Sequence, residues 1–118
     1  MLRRALAQSG LDEIIKSDVA VDKYVIAGHS AGSIVAGPSL HGFELMDKET
    51  LVLPVYQSEV VWSGLGLTDM RVIPHVGSEK YTQAIIDVRE KFDSSGLKHV
   101  ALHDTAVFVV DGNIEEVI

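Results

Sequence analysis

Cysteine is absent from the 118 residues, so the chain can form no disulfide, thiolate nucleophile or zinc–thiolate site. Basic residues are also few: ten Lys and Arg stand against seventeen Asp and Glu, which gives a formal net charge of -7. This charge would repel a phosphate backbone, and no basic stripe offsets it, so we expect no nucleic-acid partner. The lack of cysteine agrees with a cytoplasmic location.

Long apolar runs are missing as well. Each apolar run has the length of a strand, and none approaches the roughly 20 residues needed to cross a bilayer, so we expect no membrane partner. The first seven residues resemble the start of a signal peptide, but Asp12, Glu13 and Lys16 interrupt the pattern, and we expect no export. The length allows one domain over residues 1–118. Hydrophobic residues make up 47% of the chain and charged residues 23%, a composition typical of folded globular proteins.

Strands and helices alternate along the chain. Apolar residues at helical spacing predict helices in residues 2–15 (divided at Ser9-Gly10), after Ser30 as far as Gly37-Pro38, and in residues 81–92. Runs rich in β-branched residues predict strands at 24–27, 71–73, 99–102 and 106–110, an extended segment at 51–56, and a final strand after an Asp111-Gly112-Asn113 turn. This order predicts an α/β domain, a three-layer sandwich with a mostly parallel sheet and an antiparallel hairpin at its edge.

The first candidate for chemistry is Ser30, in the run Gly28-His29-Ser30-Ala31-Gly32. Gly-x-Ser-x-Gly between a strand and a helix is the pattern of a nucleophile elbow, whose tight turn lifts the serine hydroxyl clear of the sheet. The alternative is a plain turn whose serine only caps the following helix. The strand, turn and helix predicted in that order favour the nucleophile.

A nucleophilic serine needs a base and an acid. His75 follows a predicted strand and therefore lies at the sheet edge where open α/β sheets assemble their sites, so it is the candidate base. Asp104 holds the equivalent position after the strand 99–102 and is the candidate acid. His29, His41, His99 and His103 are each better explained as surface or structural histidines, and Asp111 and Glu79 as turn and helix-start residues.

The order serine, histidine, aspartate differs from that of the common α/β-hydrolases. In this order, with their flanking motifs, the residues resemble peptidase family S51, which includes dipeptidase E and cyanophycinase. The resembling stretches cover nearly the whole chain: residues 9–15, 28–38, Gly-Leu-Gly-Leu at 64–67, Ile-Pro-His at 73–75, Ala-Leu-His-Asp at 101–104 and 109–112.

The resemblance implies a fold similar to class I glutamine amidotransferases and flavodoxin. It also implies a serine peptidase acting on small peptides, with Ser30 as nucleophile, His75 as base and Asp104 as the acidic third member. The backbone N–H of Ala31 would supply one oxyanion donor. We expect no metal and no cofactor, and the substrate-binding residues stay open.

The family's domain is nearly twice as long, and it begins with strands and a Gly-Gly-Gly-Asn-type loop that do not precede Met1. We therefore expect an N-terminally truncated domain that exposes apolar edges and forms a homodimer or larger assembly to cover them. A non-catalytic homologue, acting as a binding or oligomerisation module, is the alternative function.

Overall fold

The computed structural model describes residues 1–118. It contains four α-helices, four strands and two short 3₁₀ turns at Phe43–Leu45 and Glu79–Tyr81. The helices are α1 (Leu2–Ser9), α2 (Leu11–Ala20), α3 (Ala31–Ala36) and α4 (Thr82–Ser94), and the strands are β1 (Arg71–Val76), β2 (His99–His103), β3 (Phe108–Asp111) and β4 (Ile114–Val117). None of the helices has the length and apolar character that a membrane span requires.

The core is a β1-α4-β2 unit in which β1 and β2 pair in parallel, with Arg71 opposite His99 and Val76 opposite His103. Ile73 of β1 and Val88 and Phe92 of α4 are fully buried. Phe43 packs edge-on against Phe92, with ring centroids 5.4 Å apart. Burying each such side chain contributes about 1.5–3 kcal/mol, so the apolar stripe of α4 fixes that helix against β1.

The predicted α/β class, the parallel strand pair and the helices are confirmed. Helix α1 ends at Gly10, whose left-handed backbone separates it from α2 as predicted. Strand β1 continues through Pro74 and His75 to Val76, beyond the predicted end, with an irregular register between Ile73 and Val76. The hairpin β3–β4 forms, but as a separate two-stranded sheet.

The predicted buried strand at residues 24–27 is wrong. These residues form no strand, and Val25 is 95% exposed. A strand exists only where a neighbour accepts and donates its backbone hydrogen bonds, and no strand of this chain pairs with the segment. Residues 51–56 likewise form no strand. With two parallel strands in the chain, the three-layer sandwich and the amidotransferase-like topology stay predictions, and so does the dimer or larger assembly.

Two buried arginines of α1 hold the long irregular segment before β1. Arg3 pairs with Asp12 of α2 at 2.8 Å and donates from Nε to the Ser63 carbonyl at 2.7 Å. Arg4 donates to three carbonyls of the irregular segment, those of Glu49, Ser58 and Glu59, at 2.8–2.9 Å. Buried charges are tolerated only when paired and hydrogen-bonded in this way. Helix α1 thus anchors residues 49–63 next to α3.

The Arg3–Asp12 pair predicts how stability changes in acid. Burial raises the pKa of Asp12. Hydrogen bonds from Arg3 and from the Glu13 N–H, together with the Arg3 charge, lower the pKa by more than burial raises it, so it lies below its ordinary value of 3.8. Ionised Asp12 therefore stabilises the fold above that value, and the contribution disappears as the pH falls through the lower folded-state pKa. We expect Asp12→Asn to cost about 3 kcal/mol at neutral pH, because the Arg3 charge is left buried without its partner.

The measurement is urea unfolding from neutral pH to below pH 4, with the variant expected to lose part of the acid dependence of the wild type. Asp22→Asn is the matched control, because Asp22 is exposed and forms no ion pair. An Asp12→Asn protein as stable as the control at neutral pH would contradict the prediction.

Candidate active site

Ser30 lies between an extended segment and the start of α3, in a strained backbone conformation with φ 53° and ψ -118°. The turn is tied to the helix by its own hydrogen bonds. The Gly32 N–H donates to the His29 carbonyl at 2.8 Å, and the Ser33 hydroxyl donates to the Ser30 carbonyl at 2.6 Å. A non-glycine residue with positive φ persists only where its surroundings impose it. The local geometry is that of an elbow presenting the Ser30 side chain.

His75 lies near the carboxyl end of β1, at the irregularity of the β1–β2 register. Its φ is +67°, and its carbonyl accepts a hydrogen bond from the Ser78 N–H at 3.0 Å, so the strand turns sharply there. The imidazole is mostly enclosed, with 16% of the side chain exposed. Asp104 follows the last residue of β2 directly, and 58% of its side chain is exposed.

The side chains of Ser30, His75 and Asp104 form one hydrogen-bonded row. His75 Nε2 lies 2.8 Å from Ser30 Oγ, and His75 Nδ1 lies 2.9 Å from Asp104 Oδ1. Parallel pairing explains the meeting of His75 and Asp104, because it places the carboxyl ends of β1 and β2 side by side. Helix α3 packs on β1 and brings Ser30 to the same edge. Residues 45 and 29 positions apart in the sequence are thereby joined through one imidazole ring.

The Ala31 N–H is the free donor nearest to Ser30 in the chain. It is the first amide of α3, donates to no backbone carbonyl, and belongs to an exposed residue. An apolar cavity of about 230 Å³ begins beside Ala31 and runs between α1, α3 and the Phe43–Leu45 turn. Ser30, His75 and Asp104 do not line this cavity. The three side chains therefore lie outside the cavity, whose lining includes Ala31, the neighbour of Ser30.

Of the other candidates from the sequence, His103 ends β2 directly before Asp104, opposite Val76, and three more lie elsewhere. His41 stacks on Trp62, His99 bonds the Leu97 carbonyl, and Asp111 ends β3. His29 contacts the catalytic candidate His75 itself, with its ring edge-on to the imidazole and centroids 5.5 Å apart.

One contact of His75 was not predicted from the sequence. The ring of Tyr81 stacks on the imidazole at a centroid distance of 5.1 Å and an interplanar angle of 15°. In the sequence Tyr81 was only the expected start of the following helix. Its distance from His75 is set by the Ser78 turn and the 3₁₀ turn at Glu79–Tyr81, which carry no distinctive pattern.

The sequence model of peptidase family S51 matches residues 1–117 of the chain. The chain belongs to peptidase family S51. Among curated proteins, none matches it.

The fold of this S51 chain is also found in a solved structure, described as that of a candidate peptidase E protein from Listeria monocytogenes EGD-e. The two superpose with a TM-score of 0.80 over 99% of the S51 chain, at 18% sequence identity. The S51 chain spans about half of that protein, 53% of its length. At this identity the likeness establishes a shared fold.

Proposed function

We propose that the chain carries the Ser-His-Asp unit of a serine-type peptidase, similar to dipeptidase E, that hydrolyses small peptides. The observation that supports this most strongly is the row Ser30 Oγ, His75 Nε2, His75 Nδ1 and Asp104 Oδ1, with successive contacts of 2.8 and 2.9 Å. Nucleophile, base and orienting acid within hydrogen-bond reach are the general requirements of covalent acyl transfer. Membership of family S51 supports a peptidase rather than a non-catalytic module.

In the proposed reaction, Ser30 Oγ attacks the carbonyl carbon of the scissile peptide bond while His75 Nε2 takes the hydroxyl proton. Asp104 accepts the Nδ1–H bond, which keeps the Nε2 lone pair directed at Ser30 and stabilises the imidazolium. The oxyanion of the tetrahedral intermediate faces the Ala31 N–H. His75 then gives the proton to the amine as the C–N bond breaks. Water next attacks the acyl-serine while His75 takes its proton, and His75 returns that proton to Ser30 Oγ as the ester bond breaks, which releases the carboxylic acid product.

The elbow geometry bears directly on the nucleophile's reactivity. The backbone at Ser30 is held in a conformation that an exposed loop would relax, and the Ser33 side chain and two helix amides hold the Ser30 carbonyl. The hydroxyl is thus fixed relative to the Nε2 lone pair before substrate arrives. Because the hydroxyl is already positioned, less entropy is lost in reaching the reactive geometry than for a mobile serine.

A fluorophosphonate probe tests the proposal without knowledge of the substrate. Ser30 Oγ attacks phosphorus, fluoride leaves, and a stable Ser30–phosphonate ester forms. We expect the 118-residue protein to be labelled at Ser30, as located by peptide mass spectrometry, and Ser30→Ala to show no labelling.

Ser94→Ala is the matched control, because Ser94 is a serine of α4 whose hydroxyl is likewise engaged with a backbone carbonyl, that of Lys91, outside the Ser30 turn. It should be labelled at Ser30. The proposal would be overturned if the protein has the circular dichroism spectrum of a folded chain and is not labelled at Ser30.

A further inference from the structure

We propose that His29, His75 and Asp104 form a binding site for a divalent transition-metal ion such as Zn²⁺, and that occupation of this site switches the serine off. One ligand atom from each of the three residues lies within 4.8 Å of the other two. The inhibitory part rests on the proposed function, whereas the binding part does not. The spacing of positions 29, 75 and 104 matches no sequence pattern of a metal site, which is why only the fold displays it.

The donor set suits Zn²⁺ and excludes the main-group divalent ions. Two imidazoles and one carboxylate suit zinc and related transition metals, whereas Mg²⁺ and Ca²⁺ prefer oxygen ligands. Three protein ligands leave a fourth position for water, as zinc tolerates. His29 lies in the Ser30 turn and reaches His75 edge-on, so the elbow itself delivers the third ligand.

The distances are close to those of a zinc shell. Around a tetrahedral ion with bonds of about 2.1 Å, ligand atoms lie about 3.4 Å apart. His75 Nδ1 and Asp104 Oδ1 already lie 2.9 Å apart, and the whole set spans no more than 4.8 Å. His29 and Asp104 are exposed, so their side chains can close the remaining distance of at most about 1.4 Å without disturbing the core.

Metal binding and base catalysis exclude one another at His75, whichever ring nitrogen binds the ion. If Nε2 is the ligand, its lone pair is no longer available to the Ser30 proton. If Nδ1 is the ligand, the ring proton must lie on Nε2, which can then donate to Ser30 Oγ but not accept from it. In both cases Asp104 coordinates the ion and no longer orients the imidazole.

The binding part is measured on the full chain by calorimetric titration with Zn²⁺ and by visible absorption with Co²⁺, whose bands intensify in a four-coordinate site. His29→Gln is expected to weaken Zn²⁺ binding at least tenfold, as is typical when a metal site loses a supporting group. His41→Gln is the matched control, because His41 is an exposed histidine that stacks on Trp62. Equal affinities of wild type and His29→Gln, or no binding by either, would overturn the site.

The inhibitory part is measured by fluorophosphonate labelling in buffered Zn²⁺. Labelling of the wild type should slow as Zn²⁺ rises and recover when a chelator is added, and His29→Gln should need at least tenfold more Zn²⁺ for the same effect. A wild type labelled at a rate independent of Zn²⁺ refutes the switch and leaves the proposed peptidase intact. A protein that binds Zn²⁺ through His29 but is never labelled refutes the peptidase and the switch, and retains the metal site.

Discussion

Asp104→Asn is expected to slow fluorophosphonate modification of Ser30 by about 1,000- to 10,000-fold, the cost of the wrong imidazole tautomer in a serine triad. Asp104 accepts a hydrogen bond from His75 Nδ1 at 2.9 Å, which leaves the Nε2 lone pair facing Ser30. An asparagine amide can donate to Nδ1 instead, and the ring proton then moves to Nε2. The base is lost although the residues keep their places.

The fold should not change with this substitution. Asp104 is more than half exposed, and its only side-chain partner is His75, so the melting temperature of Asp104→Asn should match that of the wild type. The rate is read from stopped aliquots of the labelling reaction, with Ser30→Ala as the baseline.

Asp111→Asn is the matched control and should be labelled at the wild-type rate. Asp111 is the acid that the sequence offered as an alternative, and it lies in the β3–β4 hairpin. If Asp111→Asn lowered the labelling rate as much as Asp104→Asn does, the assignment of Asp104 as the acid would be wrong.

The sequence could predict Ser30, His75 and Asp104 as candidates because each lies at one end of an element: Ser30 precedes α3, His75 lies near the end of β1, and Asp104 follows β2. Strand β2 and helices α3 and α4 carry apolar residues at the spacing that their structure requires, and each candidate lies at an element end. A parallel pair then brings the ends of β1 and β2 together without further information. Local patterns joined by one topological rule thus lead to the site.

The features that were missed depend on contacts with no local signature. Residues 24–27 have strand composition, but composition supplies no neighbouring strand, and the segment is exposed. Arginine is usually exposed, yet Arg3 and Arg4 are each only 5% exposed, because Asp12 and carbonyls from residues 49–63 accept their hydrogen bonds. The stacking of Tyr81 on His75 likewise depends on two consecutive turns.

The two glycines of the elbow pattern are expected to respond oppositely to alanine. A Cβ on Gly28 would lie 2.6 Å from the Gly32 carbonyl carbon and 2.9 Å from the Ser33 nitrogen, both backbone atoms of α3. The helix start would have to move, and Ser30 Oγ with it. A displacement of about 1 Å at a reacting group costs about 100-fold, so Gly28→Ala should slow labelling of Ser30 by at least that factor.

Gly32 is the matched position, because a Cβ there meets nothing within 4 Å and the residue lies inside α3. Alanine is the better helix former by about 1 kcal/mol, so Gly32→Ala should unfold at equal or higher urea concentration and label at nearly the wild-type rate. Labelling and urea unfolding on the same three proteins separate the two effects. Wild-type labelling of Gly28→Ala would show that α3 does not hold Ser30 in place. Loss of labelling in a stable Gly32→Ala would show that the space beside Gly32 is used by the reaction, because no contact within the chain fills it.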